Sequence, residues 1–193
     1  MQQEERRNKT RSAALIAARK LFGARGYDAV TMDDVAQKAR IAKGGLYHHF
    51  PTKKDLFEAA LIEVSSAIAA TISQTITPND RYMEALLGGI SIFMEACKPR
   101  PTRQILLIDG PSVIGHGRWR EIDAENFGAL ARVAFTGAIE AGEIGRYSVD
   151  VLVTLTLGAV TEAVLASPTD KTYEASMKVH LEALGLMLEG LAN

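Results

Sequence analysis

The chain has 193 residues, 47% of them hydrophobic and 23% charged, with a formal net charge of −1. These proportions belong to an ordinary globular protein and exclude a fibrous or disordered chain. A single cysteine, Cys97, excludes an internal disulfide and a cysteine metal cluster. No apolar run reaches the roughly 18 residues of a membrane span, and the polar stretch 1–7 lacks the apolar core of a signal peptide, so a cytoplasmic location is expected.

The near-zero charge hides an asymmetry. Residues 1–55 carry 12 Lys+Arg against 6 Asp+Glu, a net +6, and residues 56–193 carry 10 against 17, a net −7. A basic head on an acidic body suits polyanion binding, although a solvated basic surface has the same composition.

Apolar residues recur at three- and four-residue spacing throughout, which predicts an all-α protein. The first helix is expected over 8–25, with Ala14, Leu15, Ala18, Leu21 and Phe22 on one stripe and Gly26 as its stop. Thr31 offers a hydroxyl cap to a short second helix ending near Ala39, with Asp33 and Asp34 in its first turn. Residues 40–42 leave a tight turn, a third short helix is expected from Lys43 to His49, and Pro51 ends it. Thr52 caps a fourth helix reaching about Ser73. Two short helices joined by a three-residue turn, 40–42, are the geometry of a helix-turn-helix. Beyond a break at Pro78-Asn79, helices are expected over 80–97, 103–108, 118–141, 149–166 and 172–192. They are separated by Pro99 and Pro101, Gly110-Pro111 with Gly115 and Gly117, Gly142 with Gly145, and Ser167-Pro168.

In this frame Val35, Ala36, Ile41, Leu46 and Phe50 form a small core with Leu21 and Phe22, leaving Lys43, Gly44, Gly45, Tyr47 and His48 on the outer face of the third helix. Two glycines in a helix cost about 1 kcal/mol each relative to alanine. A backbone that must approach a phosphate or a base edge closely would justify that cost. Lys53 and Lys54 open the fourth helix, where two ammoniums and free N–H groups could hold a phosphate.

The run Thr31-Met-Asp-Asp-Val-Ala-Gln-Lys-Ala39, followed by Lys43-Gly-Gly-Leu-Tyr-His-His-Phe-Pro-Thr-Lys-Lys-Asp-Leu-Phe57, resembles the N-terminal domain of the TetR/AcrR family of regulators. The resemblance covers roughly the first 60 residues of the chain. It implies a DNA-binding domain over 1–55 and a helical effector-binding and dimerisation domain over 56–193. It also implies a homodimeric repressor that leaves a palindromic, double-stranded operator when a small molecule binds, with no cofactor and no membrane partner. The positions matching Lys43, Gly44, Gly45, Tyr47 and His48 would face DNA, Tyr47 with Lys53 or Lys54 would hold phosphates, and Thr31 would cap its helix and touch the backbone. Two positions depart from the pattern. Arg40 stands where glycine is common in the turn, and would carry strain or add a phosphate contact; Ala42 stands where a serine or threonine cap is common.

For the body, the expected dimer stripe is Met177, Leu181, Leu184 and Leu188 on the last helix with Leu155 and Val160 on the one before. By pattern alone the same residues would pack on their own chain; the resemblance favours an interface. Met83, Phe93, Met94, Cys97, His116, Trp119 and Phe127 are candidates for an effector pocket, with core packing as the alternative for each. His116, Asp109, Asn126 and Thr136 are polar groups that could orient a ligand. Catalysis has weaker support. Residues 110–115 are one residue too long for a nucleophile elbow and have no strand before them. The adjacent His48 and His49 point about 100° apart on a helix, without a third ligand nearby.

Overall fold

The structure, a computed structural model, describes residues 2–75, 81–166 and 171–192, all of them helical or in connecting turns. The breaks expected at Pro78-Asn79 and Ser167-Pro168, and a helix start at Asp80, lie outside the described residues. The chain folds as two units, one of residues 1–64 with 100–119, the other of 65–99 with 120–193.

The first unit is built on α1 (Gln2–Arg25), α2 (Met32–Ala39), α3 (Lys43–His49) and the first part of α4 (Lys53–Thr75). Helix α1 begins six residues before the start expected at Asn8 and ends where expected, at Gly26, whose φ of +78° only glycine adopts cheaply. Ala14, Leu15, Ala18 and Phe22 are fully buried, together with Val35 of α2, Leu46 of α3 and Leu56, Phe57 and Ala60 of α4. The rings of Phe22, Tyr27 and Phe57 pack with centroids 5.2–5.8 Å apart. Leu21 and Ile41, expected in this core, are only half-buried.

Both short helices and α4 begin where the sequence predicts, and two of the three starts share one device. Thr31 and Asp34 form a capping box: the Asp34 N–H donates to Thr31 Oγ1 at 3.1 Å and the Thr31 N–H to Asp34 Oδ2 at 2.9 Å. Thr52 and Asp55 repeat it at the start of α4, at 3.1 and 2.9 Å. Helix α4 is long and apolar enough, by length and composition, to cross a membrane. Its buried residues Leu56, Phe57, Ala60, Leu61, Ser65, Ile68 and Ile72 recur at helical spacing, the mark of a helix packed inside a protein.

The segment 100–119 joins this unit as α6 (Arg100–Arg103), a π-helical stretch (Gln104–Asp109), α7 (Gly110–Ile114) and the start of α8 (His116–Asp123). Gly110-Pro111, expected to break the chain, does not. Pro111 sits in the first turn of α7, where its missing N–H is not needed. The break falls at Gly115, also expected there, with φ of +88°.

In the second unit, α8 runs into a further π-helical stretch (Ala124–Gly128) and α9 (Ala129–Glu140). These pack with α5 (Tyr82–Ala96), α10 (Val149–Leu165) and α11 (Tyr173–Glu189). Phe135, Met94, Val164 and Tyr173 are buried at its centre, and the Tyr173 hydroxyl donates to the Met94 carbonyl at 2.7 Å. The Glu143 carboxylate ties the start of α5 to the connection after α9: the N–H groups of Tyr82 and Met83 each donate to it at 3.1 Å.

Candidate nucleic-acid interface and cavity

Helix α3 is held by its one buried side chain, Leu46, and by Phe50 just beyond its end. Lys43, Gly44, Tyr47 and His48 are all exposed, and their spacing of 43 to 47 and 44 to 48 puts them on one outward face. Tyr47 is 47% exposed, among the large hydrophobic side chains left at the surface. A side chain added at Gly44 would meet nothing within 4 Å, and at Gly45 only Thr10 at 3.7 Å. Nothing inside the chain therefore requires either glycine.

The turn before α3 is a Schellman motif. The Ile41 N–H donates to Ala36 O at 3.0 Å and the Arg40 N–H to Gln37 O at 3.1 Å, with Arg40 in the left-handed region at φ 56°, ψ 43°. Arg40 thus occupies the position that favours glycine, and its side chain is exposed. Ala42 makes no side-chain cap for α3.

The lysines divide by partner. Lys43 Nζ lies 2.6 Å from Asp33 Oδ2 across the turn, and this hydrogen bond holds its pKa above the ordinary lysine value. Lys53 is half-buried and donates to the carbonyls of Tyr27 and Val30, both at 3.1 Å, with its ammonium 4.0 Å from the centre of the Tyr27 ring. It fastens the connector between α1 and α2. Of the two lysines expected to clamp a phosphate, Lys54 is the exposed one. Thr31 is exposed with its hydroxyl in the capping box. Arg7 and Arg11 are basic residues beside α3 that the sequence pattern did not single out. The Arg11 guanidinium lies 5.6 Å from the Phe50 ring centre, and burial, with Arg7, His48 and Arg11, holds His49 below the ordinary histidine pKa. The signal was the basic run at the N-terminus, whose continuation as helix no local feature announced.

A cavity with room for about 70 Å³ lies within the second unit, among α4, α5, α9 and α10. Phe93 and Phe127 line it, edge to face with centroids 4.8 Å apart, with Leu86, Ile90, Leu130, Leu157 and Val160. Five of the seven pocket candidates lie elsewhere. Met94 and Cys97 are fully buried in packing, and Met83 is half-buried beside Glu143. His116 and Trp119 belong to the first unit, where the Trp119 indole donates to Leu106 O at 2.7 Å. Of the expected polar groups, Asp109 accepts from the Tyr27 N–H at 2.8 Å, Asn126 bonds Ser66 at 3.1 Å, and Thr136 is exposed; none lines the cavity. The polar lining is Asp123, Thr156 and Thr161. Asp123 was hidden in the sequence because it sits in the charged run 120–125, which reads as solvated surface.

Residues 110–115, weighed as a nucleophile elbow, form a helical turn, and Ser112 Oγ donates to the Asp109 carbonyl at 2.9 Å. The expected dimer stripe also divides. Leu184, Leu188 and Val160 are buried in their own unit, Met177 and Leu181 are half-buried, and only Leu155 is exposed, at 65%. The outward apolar residues are instead Val151, Leu155 and Leu165 on α10, and Val179, Leu186 and Met187 on α11.

Comparison with known protein families gives two matches. Residues 14–60 match the family described as bacterial regulatory proteins of the tetR family, and 83–191 match the tetracyclin repressor-like C-terminal domain. The chain belongs to the TetR family of regulators. It is 28% identical over 156 residues to the transposon Tn10 TetC protein of Escherichia coli, covering 81% of this chain and 79% of that one. A TetR-family transcriptional regulator from Pectobacterium atrosepticum superposes with a TM-score of 0.80 at 26% identity, over 97% of this chain and 96% of that one. RolR solved with resorcinol shares the fold at 21% identity, with a TM-score of 0.71 over 93% and 89% of the two chains. As a TetR-family member the protein is a DNA-binding transcriptional regulator, not an enzyme, with α2 and α3 as its helix-turn-helix.

Proposed function

We propose that this regulator is a homodimeric repressor, acting on DNA inside the cell, that releases a palindromic operator when a small molecule fills the cavity of its second unit. The observation that carries the reading is the outward face of α3, where Lys43, Gly44, Tyr47 and His48 are all exposed and a side chain at Gly44 would meet nothing. Such a helix enters the major groove, with Tyr47 and Lys43 at base edges or phosphates and Lys54 and Arg40 on the flanking backbone. Lys43 exchanges Asp33 for DNA on binding, and Thr31 contributes chiefly through its cap.

Pairing through the outward apolar residues of α10 and α11 gives two α3 helices related by a two-fold axis, which matches a palindromic site. Ile72 near the end of α4 lines the cavity, and Lys53 at its start fastens the α1–α2 connector, so one helix carries both features. A ligand that binds one setting of α4 better than another shifts the balance between DNA-competent and released forms by that difference in affinity. Resorcinol in RolR shows that a relative of this fold holds a small aromatic molecule.

Selection of fragments from a random DNA pool by the purified protein, at two salt concentrations, tests the reading. Recovery of a palindrome, with affinity falling steeply as salt rises, is expected of a dimer that neutralises phosphates. Enrichment of no sequence at either salt would refute it.

A further inference from the structure

The lining of the cavity narrows the chemistry of its occupant; this inference rests on reading the cavity as the effector site. Its walls from α4, α5, α9 and α10 are apolar apart from the Thr156 and Thr161 hydroxyls. Asp123 is the only charged or titratable side chain on the lining among the described residues. It ends α8 where the π-helical stretch begins, which brings it onto the same wall as Phe127, one turn later. No hydrogen bond or ion pair holds it among the described residues, and Arg120, exposed on its own helix, is the one charge that acts on it. Desolvation pushes this carboxyl up to about 6, with Arg120 pulling the other way, so it is mostly ionised at neutral pH.

A carboxylate facing an apolar cavity, with an exposed arginine on its own helix as the one charge acting on it, is costly unless something brings a counter-charge into the cavity. A neutral hydroxyl satisfies a lone pair and leaves the charge. An anion is repelled. A protonated amine supplies both charge and donor. We propose that the cavity takes a small lipophilic monocation, with a hydrocarbon body against Phe93 and Phe127 and one protonated amine donating to Asp123.

Three isosteric probes, 4-phenylbutylamine, 4-phenylbutan-1-ol and 4-phenylbutyrate, test this by calorimetric titration of the full chain. The amine is expected to bind at least roughly tenfold more tightly than the alcohol, the equivalent of one charge-assisted hydrogen bond, and the acid not at all. Asp123→Asn is expected to lower the amine to the level of the alcohol while leaving the alcohol unchanged, which also shows that the cavity is intact. Amine affinity in the parent chain is expected to fall as the pH drops from 7.5 to 5, as Asp123 takes up its proton. Equal affinity of alcohol and amine, or an amine preference surviving in Asp123→Asn, overturns the ligand class while leaving the cavity as an effector site. Failure of all three probes to bind overturns both.

Discussion

A glycine inside a helix costs about 1 kcal/mol relative to alanine, and α3 carries two in seven residues. Since a Cβ at Gly44 meets open space, the cost has no internal explanation. Gly44→Ala is expected to stabilise the protein by about 0.5–1 kcal/mol in urea denaturation and to weaken operator binding roughly tenfold or more through lost close approach. Unchanged DNA affinity would show that the glycine is not there for DNA. Asp123 poses the same kind of question in the second unit. Its pKa is raised from 3.8 to about 6, so the folded state binds the proton more tightly than the unfolded one. Stability therefore falls as pH rises through that window, and the full penalty is present above about 6. Asp123→Asn is expected to add on the order of 2–3 kcal/mol at pH 7.5 and nearly nothing at pH 4, read by urea denaturation at both. An equal gain at both pH values would mean that packing, not charge, is responsible. Both residues trade stability for a surface that something else completes.

At the scale of the element, the turn between α2 and α3 is where local sequence and local geometry disagree. The Schellman hydrogen bonds require a left-handed residue, and Arg40 supplies it against its own preference. Arg40→Gly is expected to raise stability by about 1 kcal/mol in chemical denaturation. It is also expected to reduce the slope of log affinity against log salt by about one, if the side chain holds a phosphate. A lower stability would mean that the arginine side chain makes a compensating contact. The boundaries of α2 and α3 were legible because a capping threonine, a turn and a proline each act within a few residues. The segment 100–128 was not, because Pro111 takes the first turn of α7 and the chain stays helical through Gly110-Pro111, where punctuation suggested a break. The early start of α1 was hidden for the opposite reason: a charged run has no periodicity to read.

For the whole molecule, burial separates two stripes that look alike in sequence. Leu184 and Leu188 are 6% and 8% exposed and serve their own unit, whereas Leu155 and Leu186 are each 65% exposed on neighbouring helices. Leu155→Glu combined with Leu186→Glu is expected to give a monomer by light scattering, with helical circular dichroism retained and operator affinity lost with the second half-site. A double variant that remains dimeric would place the interface elsewhere. Leu184→Asp, by contrast, is expected to destabilise the fold by about 3 kcal/mol or more, on the order of a buried unpaired charge.

Alone, the sequence determined the all-helical class, the helix-turn-helix at 31–50 and, apart from the half-buried Gly45, the residues on the outer face of α3. Each depends on interactions within a few residues, a cap, a turn or a four-residue spacing, which a linear pattern records directly. The tertiary structure decided which leucine stripe is buried, that Lys53 spends its ammonium on the α1–α2 connector, and that Asp123 rather than Asp109 or His116 faces the cavity. Those outcomes depend on which face of a helix meets which neighbour, and amphipathic helices of similar pattern leave that choice to packing between residues far apart in the chain.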